Sequence, residues 1–384
     1  MQFHNPERSY KTWLEISKVA FFHNLRVFKD ITGRRTKVLC VVKANAYGHG
    51  LKQAVSILSH KADWFGVDNI REALEIRSLG IDNPVLIMGY TPLGLIREVV
   101  GNEISFTVYD MQHLEKILSL DMNKKAKVHL KAETGLNRQG VDKKKLREFT
   151  KFITKNSSKI ALEGLSTHFA NIEDTLDPSF AVLQLKRFNS ILEIVKENIS
   201  PPIIHCAATA ATLLYPNTHF DMVRTGIGLY GLWPSRETRV AFNLKKGRKK
   251  INLKPILSWK SIIAQIKEVK PGDSAGYGRT WLASKKSRIA IIPVGYSDGY
   301  DRKLSNNSRV LIKGKYVPII GRIMMNMIVA DVTEITNVKP EDVVTLLGEE
   351  KGESVTADEL AFRLDTINYE VVSRISPLLP RIVV

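Results

Sequence analysis

The chain has 384 residues, 44% of them apolar, so it can bury a large core, and its length favours two domains. The formal net charge is +18, but the basic residues are scattered, and the one dense run, Lys245–Lys250, has no aromatic residues among its charges. We therefore expect a solvated loop at that run and no nucleic-acid partner.

The two cysteines, Cys40 and Cys206, lie in apolar runs, and two cysteines do not make a disulfide framework. The N-terminus lacks a charged segment followed by an apolar one, which argues against a secretory signal. No apolar run reaches the ~18 residues of a membrane span. The sequence thus predicts a cytoplasmic protein with buried, free cysteines and no membrane association.

From the N-terminus to Leu229, short apolar runs alternate with helix-like segments such as Arg71–Leu79 and Leu183–Val195. The apolar runs are Val38–Val42, Trp64–Val67, Val85–Met88, Ile104–Val108, Lys127–Leu130, Ile160–Ser166, Ile203–Ala207 and Met222–Leu229. Eight strand–helix units in succession predict an α/β fold, a (β/α)8 TIM-type barrel over residues 11–235. An open doubly wound sheet is the alternative, but Lys43–Gly50 does not fit its glycine-rich phosphate loop.

After residue 240 the pattern changes to strand-like stretches separated by turn residues, with a helical stretch near Ala357–Arg363. The strand-like stretches are Ile256–Ala264, Ile289–Val294, Val310–Ile312, Val317–Ile320, Met327–Ala330 and Val343–Leu347. This pattern predicts a second, mostly-β domain over residues 240–384.

Polar residues follow several predicted barrel strands at the ends where such a barrel places its active site. They are Lys43, Lys131, Thr134, Arg138, His168, Thr209 and Arg224. The set is cationic, and the loops 209–211 and 226–228 can present N–H groups to an anion. An anion site near the last strands and a lysine on the first would suit pyridoxal phosphate, bonded to Lys43 as a Schiff base. On these residues alone, an ordinary strand-end lysine remains the alternative.

Sequence motifs along the chain strengthen the interpretation of Lys43 as a lysine bonded to pyridoxal phosphate. They are V-V-K-A-N-A-Y-G-H-G, H-L-K-A-E-T-G-L-N-R-Q-G, G-L-S-T-H-F-A, D-M-V-R-T-G-I-G-L-Y-G, S-A-G-Y-G-R-T, P-V-G-Y-S-D-G-Y, G-R-I-M-M-N-M and T-I-N-Y-E-V. In this order, across residues 11–381, they resemble the motifs of alanine racemases, the barrel-type (fold type III) enzymes that depend on pyridoxal 5'-phosphate.

The resemblance implies a two-base racemisation of L-alanine and D-alanine, with D-alanine supplied to peptidoglycan synthesis. Lys43 matches the Schiff-base lysine, which is also one base, and Tyr277 matches the opposite base. Tyr277 would be supplied to the barrel of a partner subunit, which implies a homodimer with shared active sites. Two bases on opposite faces suit racemisation, because one removes the α-proton and the other returns a proton from the far side.

The resemblance also implies the roles of the remaining site residues. Arg224 matches the arginine facing the pyridine nitrogen, His168 the histidine beside the ring, Tyr296 a tyrosine of the narrow entrance, and Lys131 a lysine that is carbamylated in many relatives. Phosphate-binding positions are matched by Tyr47, Thr209, Gly226, Ile227 and Tyr369, and positions that contact the substrate carboxylate by Arg138 and Met325. No metal is implied.

Three residues depart from the family's pattern: Glu133 and Asn326 stand where aspartate is usual, and Thr209 stands where serine is usual. The basic run Lys245–Lys250 has no counterpart in the pattern either.

A broader-specificity amino-acid racemase on the same fold is the alternative function. Those racemases are typically exported and carry disulfides, and neither feature is evident here. A barrel-type decarboxylase would need a cysteine motif after residue 206, and a pyridoxal phosphate carrier of this fold would consist of the barrel alone.

Overall fold

A computed structural model describes residues 10–245 and 250–384. They divide into two compact units. The barrel unit comprises Ala20–Ala46 and Ala54–Lys254. The β unit comprises Tyr47–Gln53, Pro255–Val384 and the described residues up to Val19. Residues 246–249 of the basic run lie outside the described residues, so the loop expected there stays a prediction.

The secondary structure of the described residues is as follows. The strands are β1 Thr12–Ile16, β2 Lys37–Val41, β3 Trp64–Val67, β4 Val85–Ile87, β5 Ser105–Val108, β6 Ala126–Lys131, β7 Ile160–Ser166, β8 Ile203–His205, β9 Met222–Thr225, β10 Leu257–Ile262, β11 Gln265–Val269, β12 Ser287–Ile292, β13 Arg309–Ile312, β14 Lys315–Ile320, β15 Ile328–Asp331, β16 Val343–Glu350, β17 Glu353–Val355 and β18 Arg381–Val383. The helices are Lys18–Thr32, Leu51–Leu58, Ile70–Ser78, Ile96–Gly101, Met111–Ser119, Leu146–Lys155, Ser179–Lys196, Thr209–Leu214, Arg236–Leu244, Ala357–Leu364 and Asn368–Ser373. Among them, no helix has both the length and the apolarity needed to cross a membrane.

Strands β2 to β9 form the parallel sheet of the barrel unit, in the order β8-β7-β6-β5-β4-β3-β2-β9. Two backbone hydrogen bonds join its ends, from Asp221 N–H to Ile204 O (3.1 Å) and from Arg224 N–H to Ala207 O (2.9 Å). The sheet is therefore a nearly closed eight-stranded barrel, which confirms the predicted fold class. Its strands are almost continuously buried, as expected where helices cover a parallel sheet.

The last barrel strand is shorter than the apolar run that predicted it. The run Met222–Leu229 suggested one long strand, but β9 ends at Thr225 and a 3-10 helix covers Ile227–Tyr230. Gly226 has φ −100° and ψ −109° at the junction. This break gathers the backbone N–H groups of residues 226–228 close to the end of the strand.

A left-handed turn follows β2. Ala44, Asn45, Ala46 and Tyr47 have φ between 52° and 54°. For L-residues this conformation costs ~1–2 kcal/mol each, so surrounding contacts must hold it. Ala46 is fully buried, and its N–H donates to Val42 O at 2.9 Å. The left-handed conformation is visible only in the structure, because none of these four residues is a glycine.

The β unit is built on a mostly antiparallel sheet, in the order β11-β12-β15-β14-β13-β16-β10-β1-β18, with β17 paired to β16. This confirms the mostly-β character predicted for the C-terminal part of the chain. The N-terminal strand β1 lies between β10 and β18 and pairs parallel with β18, with Leu14 opposite Arg381. Sequence patterns missed β1 and the edge strand β11, because β11 is mostly exposed and has no apolar run.

Candidate active site

The barrel unit collects the predicted polar residues at the carboxyl ends of its strands. Lys43 follows β2, Lys131 ends β6, His168 follows β7, Thr209 follows β8, and Arg224 lies on β9. Because all eight strands are parallel, these ends share one rim of the barrel. The structure thus brings together the five strand ends that the sequence pointed to.

Arg224 is the most densely hydrogen-bonded of these residues. Nη1 contacts Nδ1 of His205 at 2.7 Å and donates to His205 O at 2.9 Å. Nη2 donates to Thr167 O (2.8 Å) and Cys206 O (2.9 Å) and contacts Nδ1 of His168 at 3.1 Å. Nε is the fifth donor, and no described residue accepts a hydrogen bond from it.

These contacts fix the histidine tautomers. A guanidinium only donates, so Nδ1 of His205 must accept. Nδ1 of His168 shares the two Nη2 protons with two carbonyl oxygens and must therefore be unprotonated. Nε2 of His205 therefore carries the proton and donates to Nδ1 of His129 at 2.8 Å. His129 in turn donates from Nε2 to Oε2 of Glu163 at 3.3 Å. A chain of donors thus runs from Arg224 through two buried histidines to a carboxylate.

The pKa values agree with this chain. Burial and the charge of Arg224 hold the pKa of His205 and that of His168 well below the ordinary value, so both rings are neutral. Burial alone would raise the pKa of the Glu163 carboxyl, but hydrogen bonds from His129 and Ser105 outweigh it and lower that pKa. Burial lowers the pKa of Arg224 to about 10, which leaves it charged at neutral pH.

Lys131 is a buried amine in cationic surroundings. Burial, followed by the charges of Arg224, Arg138 and Lys43, lowers the pKa of Lys131 to about 7. Nζ donates to Oε1 of Gln139 at 3.0 Å, and Nε2 of Gln139 donates to the Tyr109 hydroxyl at 3.1 Å. A substantial share of Lys131 is therefore the free amine at neutral pH.

Lys43 and Arg138 differ from Lys131, because their charged groups have no side-chain partner among the described residues. Lys43 is half-buried, Arg138 is exposed, and neither makes a side-chain hydrogen bond or ion pair with any residue that the structure describes. The charge of Arg138 nevertheless acts on His168 and Lys131. Both cations are thus available to an incoming ligand.

A small cradle of hydroxyl and backbone N–H groups lies where β8 and β9 end. The Thr209 hydroxyl accepts from Gly226 N–H at 3.1 Å and Gly228 N–H at 3.4 Å. A Cβ on Gly228 would lie 2.5 Å from both Phe28 Cζ and Thr209 Cγ2. Glycine is therefore required for the backbone to approach Thr209 this closely.

The β unit presents three predicted site residues on adjacent loops. Tyr296 N–H donates to Met324 O at 3.1 Å, and Ser297 N–H donates to Met325 O at 3.0 Å. Tyr277, Met325 and Tyr296 are 71%, 57% and 42% exposed. Backbone bonds thus join the loop of Tyr296 to that of Met325, and all three large side chains remain open to solvent.

Tyr47 and Tyr369 also lie in the β unit, with ring centroids 6.2 Å apart. Next to Tyr47, a Cβ on Gly48 would lie 1.9 Å from Val372 O, so only glycine permits this packing. Arg381 Nε also donates to Gly48 O at 3.0 Å. The segment after the left-handed turn is therefore fixed against the C-terminal helix and strand of the same unit.

The three departures from the family pattern have local partners. Asn326 Nδ2 donates to Ser297 Oγ at 2.7 Å, and Ser297 Oγ donates to Met325 O at 2.8 Å. Because that hydroxyl already gives its proton to Met325, it needs a donor, which asparagine supplies and an ionised aspartate lacks. Glu133 accepts from the backbone N–H groups of Gly135 and Asn137 and so shapes the loop before Arg138. Thr209 keeps the hydroxyl that serves the cradle.

Sequence reasoning missed His129, His205, Glu163 and Gln139. His129 could have been found, because it lies two residues before Lys131 on one strand and so faces the same side. Gly164 makes room for its ring, since a Cβ there would lie 2.4 Å from Nδ1 of His129. No local signal in the sequence marked His205 or Glu163.

The donor set of the barrel rim fits pyridoxal phosphate. The free Nε–H of Arg224 suits an unprotonated ring nitrogen, the cradle of Thr209, Gly226 and Gly228 suits a phosphate, and Lys43 offers an unpaired amine. Across residues 10–245 and 250–384, no three His, Cys, Asp or Glu side chains group as a metal site would require.

Comparisons with known proteins agree with this chemistry. The family description "Alanine racemase, N-terminal domain" matches residues 16–234, and "Alanine racemase, C-terminal domain" matches residues 256–383. The alanine racemase of Leptospira interrogans serogroup Icterohaemorrhagiae serovar copenhageni is 43% identical over 380 residues, covering 98% of this chain and 96% of that protein. Alanine racemase 2 of Caldanaerobacter subterraneus subsp. tengcongensis is 39% identical, covering 97% and 94%. The crystal structure of alanine racemase from Bacillus anthracis with bound L-Ala-P has a TM-score of 0.90 and 33% identity, covering 97% and 95%. The chain belongs to the alanine racemase family and is an isomerase.

Proposed function

We propose that this chain interconverts L-alanine and D-alanine with pyridoxal 5'-phosphate as its cofactor. The observation that carries the proposal is the hydrogen bonding of Arg224, whose Nη donors are all engaged within the barrel unit while Nε–H is left for an acceptor. An unprotonated pyridine nitrogen is such an acceptor. When bound, the cofactor supplies an aldehyde carbon for an amino group and an electron-withdrawing ring beside the Cα–H bond.

Lys43 and Tyr277 are the two bases of this proposal. Lys43 would hold the cofactor covalently until the substrate amino group takes its place, and the released Lys43 amine would then exchange a proton with Cα on one face of the substrate. The Tyr277 hydroxyl would exchange a proton on the other face. The hydroxyl of Tyr277 makes no hydrogen bond among the described residues, and the side chain is 71% exposed, which supports its availability. Proton delivery on opposite faces is what inverts the configuration.

The remaining residues bind and orient. In this proposal Thr209 and the N–H groups of Gly226 and Ile227 hold the phosphate, together with the hydroxyls of Tyr47 and Tyr369. His168, which is neutral and contacts Arg224, would lie beside the cofactor ring. The substrate carboxylate is held by the Arg138 guanidinium and the Met325 backbone N–H, and Tyr296 narrows the entrance.

We propose a homodimer in which Tyr277, Tyr296 and Met325 act in the partner's active site. Support comes from the exposure of these side chains and of their neighbours Leu282 and Met327, which are 52% and 46% exposed. Exposed apolar side chains grouped on adjacent loops are typical of a surface that is covered in an assembly.

Lys131 is carbamylated in this proposal. Its amine, with a pKa lowered to about 7, can attack carbon dioxide, forming an N–C bond and releasing one proton to solvent. The product carries a negative charge among Arg138, Arg224 and Lys43. Repulsion between Lys131 and these three cations is thereby replaced by attraction, and the carbamate holds Arg138 in place for the substrate.

The product, D-alanine, would serve peptidoglycan synthesis in the cytoplasm. A bacterial strain that requires D-alanine for growth tests this role. Expression of the chain should restore growth without added D-alanine, whereas the Lys43→Ala variant should not.

The central experiment is racemisation of L-alanine in D2O with pyridoxal phosphate, followed by chiral chromatography and mass spectrometry. Wild type should give deuterated D-alanine, and Lys43→Ala should give none. Tyr277→Phe should lose racemisation by at least ~100-fold while still exchanging the α-proton of one enantiomer through Lys43. Racemisation by Tyr277→Phe at the wild-type rate would refute the two-base assignment. A panel with serine and larger amino acids separates an alanine racemase from a broader racemase.

A further inference from the structure

Helix Ile70–Ser78 carries a carboxylate that binds the turn next to Lys43. Glu72 Oε1 accepts from the N–H of Ala44 at 2.6 Å, and Oε2 accepts from the N–H of Asp68 at 2.8 Å. Ala44 is the first residue of the left-handed turn, and Asp68 directly follows β3. One side chain therefore binds the backbones of two neighbouring strand ends.

The position of this carboxylate follows from the sheet. β2 and β3 pair in parallel, with Val41 opposite Gly66, and Val42 N–H donates to Gly66 O at 2.8 Å as the last backbone bond between them. Beyond that bond the two strands diverge, so the N–H groups of Ala44 and Asp68 have no partner on the neighbouring strand. Glu72 supplies one acceptor to each and so continues the pairing with a charged group.

Glu72 is itself held firmly in place. It lies in the first turn of its helix, where its own N–H donates to Oδ1 of the N-cap residue Asn69 at 3.2 Å. A negative charge in a first helical turn is also favoured by the helix dipole. The carboxylate that binds Ala44 and Asp68 is therefore anchored on a rigid helix of the barrel unit.

We propose that Glu72 is a positioning residue for Lys43: by binding the Ala44 amide it stabilises the left-handed turn and so sets the direction in which Lys43 extends from the barrel. This inference rests on the proposed function of Lys43. Lys43 is bonded directly to Ala44, so a change in the backbone of Ala44 moves the origin of the Lys43 side chain. Displacement of a reacting group by about 1 Å can lower a rate ~100-fold.

The test compares Glu72→Ala, Glu72→Gln and the control Glu75→Ala. Glu75 lies on the same helix, is half-buried, and has no side-chain partner among the described residues. Hydrogen exchange of the Ala44 amide is measured without cofactor, by mass spectrometry with peptide fragmentation that resolves single residues. Racemisation kinetics are measured on the holoenzyme.

We expect Glu72→Ala to speed exchange at Ala44 at least ~10-fold, with other barrel segments unchanged. Its kcat should fall ~10- to 100-fold, while KM stays within about threefold, because the loss concerns the orientation of the reacting amine and not alanine binding. Glu72→Gln keeps one acceptor and should lie between wild type and Glu72→Ala. Glu75→Ala should match wild type in every measurement.

Wild-type exchange at Ala44 in Glu72→Ala, or a kcat equal to that of Glu75→Ala, would overturn the inference. If Glu72→Ala does not fold, Glu72→Gln decides by the same criteria. If the wild type forms no D-alanine, the proposed function fails separately. The yield of Lys43 that is modified by pyridoxal phosphate and fixed by borohydride then replaces kcat, and an unchanged yield in Glu72→Ala overturns the inference.

Discussion

Nη1 of Arg224 lies 2.7 Å from Nδ1 of His205, and this contact sets the protonation of a chain that reaches Glu163. Since arginine cannot accept, His205 must be neutral with its proton on Nε2, and His129 must direct its own proton to the carboxylate. The Arg224 guanidinium is thus held at its two Nη atoms by neutral acceptors, and its Nε–H remains for a ligand.

Removing His205 should destabilise the barrel unit. His205→Phe keeps a ring but leaves the Arg224 Nη1–H without its side-chain acceptor and His129 Nδ1 without a donor. An unsatisfied buried polar group costs about 1–3 kcal/mol, so the free energy of unfolding should fall by about that amount. Urea unfolding measures this loss, and an unchanged midpoint would show that the hydrogen bonds from Arg224 to Glu163 are not needed for stability.

The same histidines predict a dependence of stability on pH. The pKa of His168 and that of His205 lie well below the ordinary value in the folded protein, whereas both rings titrate near pH ~6.5 when unfolded. Below that pH the unfolded state binds more protons, so the free energy of unfolding falls as pH drops from 7 to 5. Each histidine contributes a slope approaching about 1.4 kcal/mol per pH unit. His205→Phe should therefore have a shallower slope than wild type, and equal slopes in urea titrations at pH 5, 6 and 7 would contradict this origin.

Carbamylation of Lys131 should depend on pH and carbon dioxide. Because its pKa is lowered to about 7, the reactive free amine increases as pH rises through neutrality. With 13C-bicarbonate, we expect a protein-bound carbamate signal in the NMR spectrum that grows between pH 6.5 and 8. Lys131→Gln should lack it, whereas Lys127→Gln, which changes an exposed lysine on the same strand, should keep it. A signal that survives Lys131→Gln would assign the modification elsewhere.

Asn326→Asp should loosen the loop that carries Met325. An ionised aspartate cannot donate to Ser297 Oγ, so either that contact or the bond from Ser297 to Met325 O is lost, at about 1 kcal/mol. If Met325 meets the substrate carboxylate as proposed, the added charge should also raise the KM for alanine roughly fivefold. Asn326→Ala serves as control, because it removes the donor without adding charge. Equal KM values in the two variants would exclude the charge effect.

Gly228→Ala should weaken cofactor binding. The new Cβ would lie 2.5 Å from Phe28 Cζ and Thr209 Cγ2, and such overpacking costs about 1–3 kcal/mol. We expect the dissociation constant for pyridoxal phosphate, measured by absorbance, to rise at least ~10-fold. Gly101→Ala is the matched control, since a Cβ there meets nothing within 4 Å. Similar affinities in the two variants would rule out a role for the cradle of Thr209, Gly226 and Gly228 in binding phosphate.

The amino-acid sequence by itself determined the fold class and the strand ends that carry chemistry. Runs such as Val38–Val42 and Trp64–Val67 are continuously apolar because a parallel strand is buried on both faces, and this pattern is local. Lys43 and Lys131 could be named because they stand directly after such runs. The motif order then identified the family.

Only the tertiary structure decided how these residues are held. His129, Glu163 and His205 lie far apart in the chain, on strands β6, β7 and β8, and the pairing of these strands in the sheet makes their hydrogen bonds possible. Closing the barrel then brings Arg224 on β9 to His205 on β8. The left-handed turn of Ala44–Tyr47 also has no sequence signature, because its residues are not glycines and their conformation is imposed by contacts such as that of Glu72. Local patterns report burial and chain direction, whereas tautomers, lowered pKa values and strained backbone depend on neighbours that only folding supplies.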